Sequence, residues 1–572
     1  MTGFTVRVAG AAGKGVKTAS AVLSRLLARA GYHVFAYPDV MSRIRGGHNF
    51  TTIRAAETRV FGPGVDTDVL LALGKSAAEP HLARQKNTAT VLTDDESIGD
   101  PGGGQQVVRI PFGDVAGEVA GERGYAGSVA LGALVALVGQ PLGSLEQVLR
   151  ESFRAKGRGV VRASLKCARA GFRRVSERSR RSCRCDFPKA DREPLMLLNG
   201  NQAVGYGALA AGVRLYAGYP MSPATGVMEY LAGKQRDFDL VVEQAEDEIA
   251  AVSICLGAAY AGVRAMTATS GGGFALMVEG LGYSAMAELP LVIVVCQRPG
   301  PATGFPTRTE QGELLYTINA SQDEFPRFVF APGTAEQACY ATVRAFELAS
   351  RYQVPAIVLS DQHLADSMVT IPEFDGTKLV AIDDFSDEDV ASDAAFTYRR
   401  YALTDDGVSR RMLPGHPEQL VRVMGSEHDE SGLPTEDATN RGRMQDKRMR
   451  KTGGMRRELD GVEVYPDDGE RDAVVCFGST YGAVREAVDR LQASGVRVGM
   501  IHFQDLCPFP REQVLARLGT MRRILSVEQN ATGQLARLIA RETRIEVDER
   551  ILKYDGRPFS GSRLADTLRE LL

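Results

Sequence analysis

The chain has 572 residues, 44% of them hydrophobic and 24% charged, with 68 Lys plus Arg against 71 Asp plus Glu. That length excludes a single domain, and the composition excludes disorder throughout. A net charge of -3 offers no global field to DNA or an anionic membrane, so no nucleic-acid or membrane partner is expected.

Apolar runs such as Leu289 to Cys296 stop short of the ~20 residues that span a bilayer. The opening Met1 to Gly10 reads as a strand rather than a signal core, which makes the cytoplasm the expected compartment. Eight scattered cysteines show no tight repeat of an iron–sulfur type, and no disulfide framework is expected. Cys183-Arg184-Cys185 is too close-set for a tetrahedral metal site.

Phe4 to Ala9 reads as a strand, followed by a glycine turn and by Val16 to Ala30 at helical spacing. Further apolar runs at Val69 to Leu73 and Gln106 to Ile110 alternate with helical stretches, which favours a mainly parallel sheet in a first domain over 1–175. The loop Gly10-Ala11-Ala12-Gly13-Lys14-Gly15-Val16-Lys17-Thr18 suits either an anion site or a tight structural turn. Val16 breaks the P-loop register, because that motif requires Lys directly after Gly.

Six arginines between Arg173 and Arg184, followed by Pro188 and Pro194, mark a basic linker over 176–194. Glycine-punctuated strands and helices resume over 195–366. Residues 367–468 are rich in charge and turn formers and read as an extended excursion; 469–572 closes the chain as a smaller α/β domain.

The second domain holds the chemistry. Tyr219-Pro220-Met221-Ser222-Pro223 sets a hydroxyl between two prolines, as an aimed donor or as a helix N-cap. Glu246-Asp247-Glu248 opens a small-residue apolar helix, where one carboxylate is expected in a buried contact or all three compensate the helix dipole. Ser270-Gly271-Gly272-Gly273 ends a buried strand with backbone free to approach a ligand. Arg298, after the strand Leu291 to Cys296, is placed to grip a carboxylate or to stand in solvent.

With Arg43 to Phe50, the segment from residue 4 to 170 resembles the γ domain of 2-oxoacid:ferredoxin oxidoreductases, a docking domain. The later segments resemble the α subunit of the same family. There a glutamate precedes a Gly-Ala pair by nine residues, as Glu248 precedes Gly257. Such a glutamate hydrogen-bonds N1′ of thiamine diphosphate and favours the tautomer that takes the proton from thiazolium C2. Glu246 is the reserve.

The resemblance implies three α/β domains: a γ domain with a parallel Rossmann-like sheet, a thiamine diphosphate pyrimidine-binding domain and a transketolase C-terminal-like domain. It places Ser222, Arg298 and Thr307 on the 2-oxoacid, with Arg308 toward a distal carboxylate, and Tyr219, Pro220, Glu248, Ser270 and Gly271 on the cofactor. Ser222 stands where many relatives carry threonine.

No Gly-Asp-Gly occurs in the sequence. The resemblance therefore implies a β subunit that supplies the diphosphate site, Mg²⁺ and a [4Fe-4S] cluster, and an (αβ)₂ assembly inactive without it. The implied reaction is reversible, CoA-dependent oxidative decarboxylation of 2-oxoglutarate, with electrons to ferredoxin. Pyruvate or branched-chain and aryl 2-oxoacids stay open as substrates; a P-loop-like nucleotide-binding protein and a noncatalytic scaffold stay open as other classes.

Overall fold

The computed structural model describes residues 3–42, 46–74, 77–82, 85–99, 104–177, 179, 183, 193–379, 398–415 and 419–572. Arg43 to Arg45, most of the basic linker, and Cys185 lie outside the described residues. The chain forms two units, 1–198 with 367–373, and 199–366 with 374–572.

The first unit is built on an eight-stranded sheet in the order Gln106–Arg109, Gln85–Thr93, Thr67–Leu73, Gly3–Ala12, Gly46–Ala56, His33–Asp39, Met368–Ile371 and Met196–Leu198. The first four strands run parallel; from Gly3–Ala12 onward each neighbour is antiparallel. Alternating strands and helices carry the parallel half, whereas Gly46–Ala56 hydrogen-bonds back onto both preceding strands without a crossover helix. Val22, Leu23, Leu26 and Leu27 of the helix Val16–Arg29 are buried in this unit's core.

In the glycine loop, Gly13 and Gly15 take φ of 86° and 87°, a conformation L side chains resist. Val16 is buried while Lys14 and Lys17 are exposed, so the lysine side chains face outward rather than into the loop. Cys183 is disulfide-bonded. Cys167, Cys255, Cys296, Cys339, Cys476 and Cys507 are free.

The second unit carries two sheets. One has seven strands ordered Asp505–Cys507, Phe328–Phe330, Pro355–Asp361, Leu291–Gln297, Ala265–Thr269, Leu215–Gly218 and Val241–Gln244, parallel except for the first. The other has five, ordered Val462–Tyr465, Gly499–Phe503, Asp472–Phe477, Arg523–Glu528 and Glu549–Leu552. Asp505–Cys507, from the C-terminal stretch, is the edge strand of the seven-stranded sheet. One apolar core runs through both sheets, from Ala217 and Phe274 to Phe503 and Leu538.

The expected excursion over 367–468 is taken up by both units instead. Met368–Ile371 is a strand of the first unit, and Val462–Tyr465 already belongs to the last sheet. Between them the helix Ala438–Arg457 is pinned by buried charge. Lys447 and Lys451 place Nζ 2.6 and 2.7 Å from the two carboxylate oxygens of Glu288, and Arg400 donates to the backbone carbonyls of Ala287 and Glu288. All four side chains are buried.

Burial by itself would raise the Glu288 carboxyl, but Lys451, Lys447 and Arg400 hold it well below the carboxylate range. Burial pushes Lys447 down to about 8, with Lys451 and Arg400 nearby adding to the fall and Glu288 opposing it. Glu288→Ala removes that carboxylate and strands buried cations, at a cost of roughly 3–5 kcal/mol. A fall of several degrees in the thermal midpoint is the expected reading; an unchanged midpoint would contradict the pinning role.

Candidate functional site

Four adjacent parallel strands of the seven-stranded sheet deliver the sequence-predicted residues at their carboxyl ends, where open α/β sheets bind ligands. Leu291–Gln297 ends at Arg298, and Ala265–Thr269 ends at Ser270. Leu215–Gly218 ends at Tyr219, and Val241–Gln244 leads to Glu248.

The three acids of 246–248 divide their roles. Glu246 is exposed. Asp247 caps the helix Glu248–Tyr260, accepting the Ala250 N–H at 2.7 Å, a cap worth ~1 kcal/mol. Glu248 is 3% exposed, and its Oε1 is shut off from solvent without a hydrogen-bond partner. Such an oxygen is costly unless a ligand completes it.

The carboxylate lies against the first turn of the helix Gly271–Met286. A Cβ on Gly273 would stand 2.4 Å from Glu248 Oε1 and 2.0 Å from Thr269 Oγ1. Gly273 is therefore glycine because the acid occupies its side-chain space. Ser270 begins this helix without a side-chain cap and directs Oγ at Met221 Sδ, 2.7 Å away, which ties the 219–223 loop to the helix start.

Ser222 is exposed and does not cap a helix: Ala224 precedes the helix Thr225–Ala232, so the cap reading is set aside. The Ser222 carbonyl instead accepts Arg298 Nη1 at 2.7 Å. Half-buried Arg298 is thereby held across the carboxyl end of the intervening strand Ala265–Thr269; burial lowers its pKa while Glu313 acts in the opposite direction. Tyr219 is 41% exposed at the same edge.

Thr307 and Arg308 are half-buried in the following loop. The Arg308 stem packs by Gly556, whose added Cβ would meet Arg308 Cβ at 3.1 Å. That loop is braced from the C-terminal segment. Gln311 donates its side-chain amide to the Phe477 carbonyl at 2.8 Å and its N–H to the Gln529 carbonyl, while its Oε1 accepts the Gln529 N–H; the Gln529 side chain also donates to Thr309 Oγ1 at 3.2 Å. Gln534 bonds the Gly312 carbonyl and the Leu315 N–H.

Sequence reasoning missed Glu313. Its N–H donates to Gln297 Oε1 at 3.0 Å, its Oε1 fills the space a Gly271 Cβ would need, and its Oε2 is shut off without a partner. Burial, then Glu310, pushes this carboxyl up to about 8, against the pull of Arg298. A lone acid in a proline-rich loop carries no spacing signal. Gln311 and Gln529 were missed because the contacts that give them a place at the site join segments about two hundred residues apart.

Three family models cover most of the chain: pyruvate ferredoxin/flavodoxin oxidoreductase over 5–174, the thiamine diphosphate-binding domain of pyruvate flavodoxin/ferredoxin oxidoreductase over 206–447, and pyruvate:ferredoxin oxidoreductase core domain II over 472–562. The 2-oxoacid:ferredoxin oxidoreductase subunit alpha of Sulfolobus sp. is 30% identical over 624 positions, covering 99% of this chain and 96% of its own. The chain belongs to this family. As a 2-oxoacid:ferredoxin oxidoreductase α subunit it is part of an oxidoreductase, and the subunit naming of its relatives implies a β partner.

A 2-oxoglutarate:ferredoxin oxidoreductase from Magnetococcus marinus, solved with 2-oxoglutarate, coenzyme A and succinyl-CoA bound, superposes with a TM-score of 0.89 at 32% identity, covering 100% of this chain and 99% of that one. The 2-oxoglutarate oxidoreductase subunit KorA of Mycobacterium tuberculosis is 30% identical over 77% of this chain and 68% of its own. Among the described residues no helix of this α subunit is long and apolar enough to cross a membrane.

Proposed function

We propose that this chain is the fused γ/α subunit of a 2-oxoglutarate:ferredoxin oxidoreductase, forming succinyl-CoA and CO₂ reversibly with a β subunit. The observation that carries this reading is Glu248, with its buried unpartnered Oε1, at the same carboxyl edge of one parallel sheet that carries Arg298. The orphaned acid and the glycine turn beside it fit thiamine diphosphate. Glu248 would hold the aminopyrimidine, with Tyr219, Pro220, Ser270 and Gly271 around it. When bound, that group supplies the carbon nucleophile and electron sink for decarboxylation.

Glu248 holds a proton-exchanging contact at its carboxylate, in a position fixed by the Asp247 cap and by Gly273. Arg298 meets the C1 carboxylate of the 2-oxoacid, the Ser222 and Thr307 hydroxyls approach its keto group, and Arg308 reaches the distal carboxylate. The 2-oxoglutarate in the names of the Magnetococcus and Mycobacterium relatives supports this substrate over pyruvate.

The partner has a surface to meet. The helices Glu248–Tyr260 and Gly271–Met286 begin at the site and are apolar on nearly every face. The groove beside them, of about 600 Å³, leaves Ile249, Leu276 and Tyr283 52%, 48% and 38% exposed. Apolar patches of this kind call for a covering chain. A β subunit seated there would carry the diphosphate site, Mg²⁺ and the [4Fe-4S] cluster to the mouth of the site.

Steady-state rates of the co-expressed pair with 2-oxoglutarate, pyruvate and branched-chain 2-oxoacids test the reading. A clear preference for 2-oxoglutarate is expected, and equal use of pyruvate would remove the role given to Arg308.

A further inference from the structure

Two carboxyls flank the first turn of the helix Gly271–Met286, buried Glu248 at Gly273 and half-buried Glu313 at Gly271, each with one oxygen shut off from solvent and unpartnered. Glu248 has a task in the reaction proposed above; Glu313 has none. We propose that Glu313 is a positioning residue that governs how Arg298 holds an anionic substrate, because its carboxyl and the substrate's carboxylate compete for the same guanidinium. This rests on the reading of Arg298 as the 2-oxoacid's anchor.

The geometry supplies the competition. Gln297 and Arg298 are consecutive, and Gln297 Oε1 takes the Glu313 N–H, which brings the Glu313 backbone to the foot of Arg298. The two side chains act on each other electrostatically without forming an ion pair in the structure, since Arg298 Nη1 is turned to the Ser222 carbonyl. Glycine backbone faces the acid from the helix Gly271–Met286, and Gln534 holds the Gly312 carbonyl from the C-terminal segment. The charged groups acting on it are Glu310 from its own loop and Arg298.

Burial and the neighbouring Glu310 raise this acid, so that at neutral pH it is predominantly uncharged. An uncharged Glu313 leaves the positive charge of Arg298 to the substrate. Once ionised it supplies a resident anion that draws the guanidinium away. Substrate binding therefore weakens as pH rises through the Glu313 pKa.

The test uses the α/β complex and 2-oxoglutarate as probe, with KM and calorimetric binding followed from pH 7 to pH 9. If only the protonated form binds, affinity falls about tenfold across that range. Glu313→Gln, which cannot ionise, is expected to abolish the alkaline rise in KM, and Glu313→Asp to retain one. An acid carbonyl stretch present at pH 7 and missing from the Glu313→Gln infrared difference spectrum reports the protonated group directly, without reference to turnover.

A Glu313→Gln complex with the wild-type alkaline rise overturns the proposal, as does the absence of that carbonyl band. If the wild-type complex binds no 2-oxoacid, the functional reading fails and takes this proposal with it. The infrared band then still records whether Glu313 is protonated, so the two failures are distinguishable.

Discussion

Replacing Glu248 with Gln is expected to slow acyl-CoA formation by the α/β complex about 10²- to 10⁴-fold, the range for loss of a placed acid–base group. The substitution keeps the side chain's volume beside Gly273, where the carboxylate fills the space a Cβ would need, so the helix start stays intact. What it removes is the carboxylate oxygen that the fold leaves buried without a partner. The KM for the 2-oxoacid should move little, because Arg298 and the 219–223 loop are untouched. Steady-state kinetics separate the outcomes: a loss confined to kcat supports the role, and a loss confined to KM contradicts it. Glu246→Gln serves as the comparison, since Glu246 is exposed.

Arg298→Ala is expected to act on the other kinetic parameter. A charge-assisted contact between guanidinium and carboxylate, partly shielded from water, is worth ~3 kcal/mol, so kcat/KM for 2-oxoglutarate should fall about 10²-fold or more. Arg298→Lys should recover little of it. A lysine places one point charge where the fork reaches two oxygens, and it would have to replace the bond to the Ser222 carbonyl that pre-sets the side chain. A 2-oxoacid panel reads the effect; equal losses in kcat with no change in KM would place Arg298 outside the substrate contact.

The parallel core of the second unit was legible because buried parallel strands read as uninterrupted apolar runs, as in Leu291 to Cys296, and the ligand edge follows from strand direction. Glu248 was legible as one of three acids at a helix start. Only the fold decided among them, by giving Asp247 to the cap, Glu246 to solvent and Glu248 to the interior.

The sequence was silent where partners are distant along the chain. Met368–Ile371 pairs with His33–Asp39 across more than three hundred residues, so a four-residue strand inside a charged stretch could not be distinguished from loop. Helix Ala438–Arg457 fell inside the stretch read as an extended excursion, since its Lys447 and Lys451 find Glu288 only in three dimensions. Glu313 escaped for the same reason: what makes it unusual is Gly271 and Arg298, and neither is local to it.

In the function proposed above, this chain supplies the acid that activates thiamine diphosphate while its partner supplies the rest of the site. Hydrogen–deuterium exchange at C2 of thiamine diphosphate measures that activation before any substrate adds. Exchange should be fast in the α/β complex, absent above the free-cofactor rate with the chain alone, and slowed at least 10²-fold in the complex carrying Glu248→Ala. Exchange in that variant at the wild-type rate would contradict the assignment.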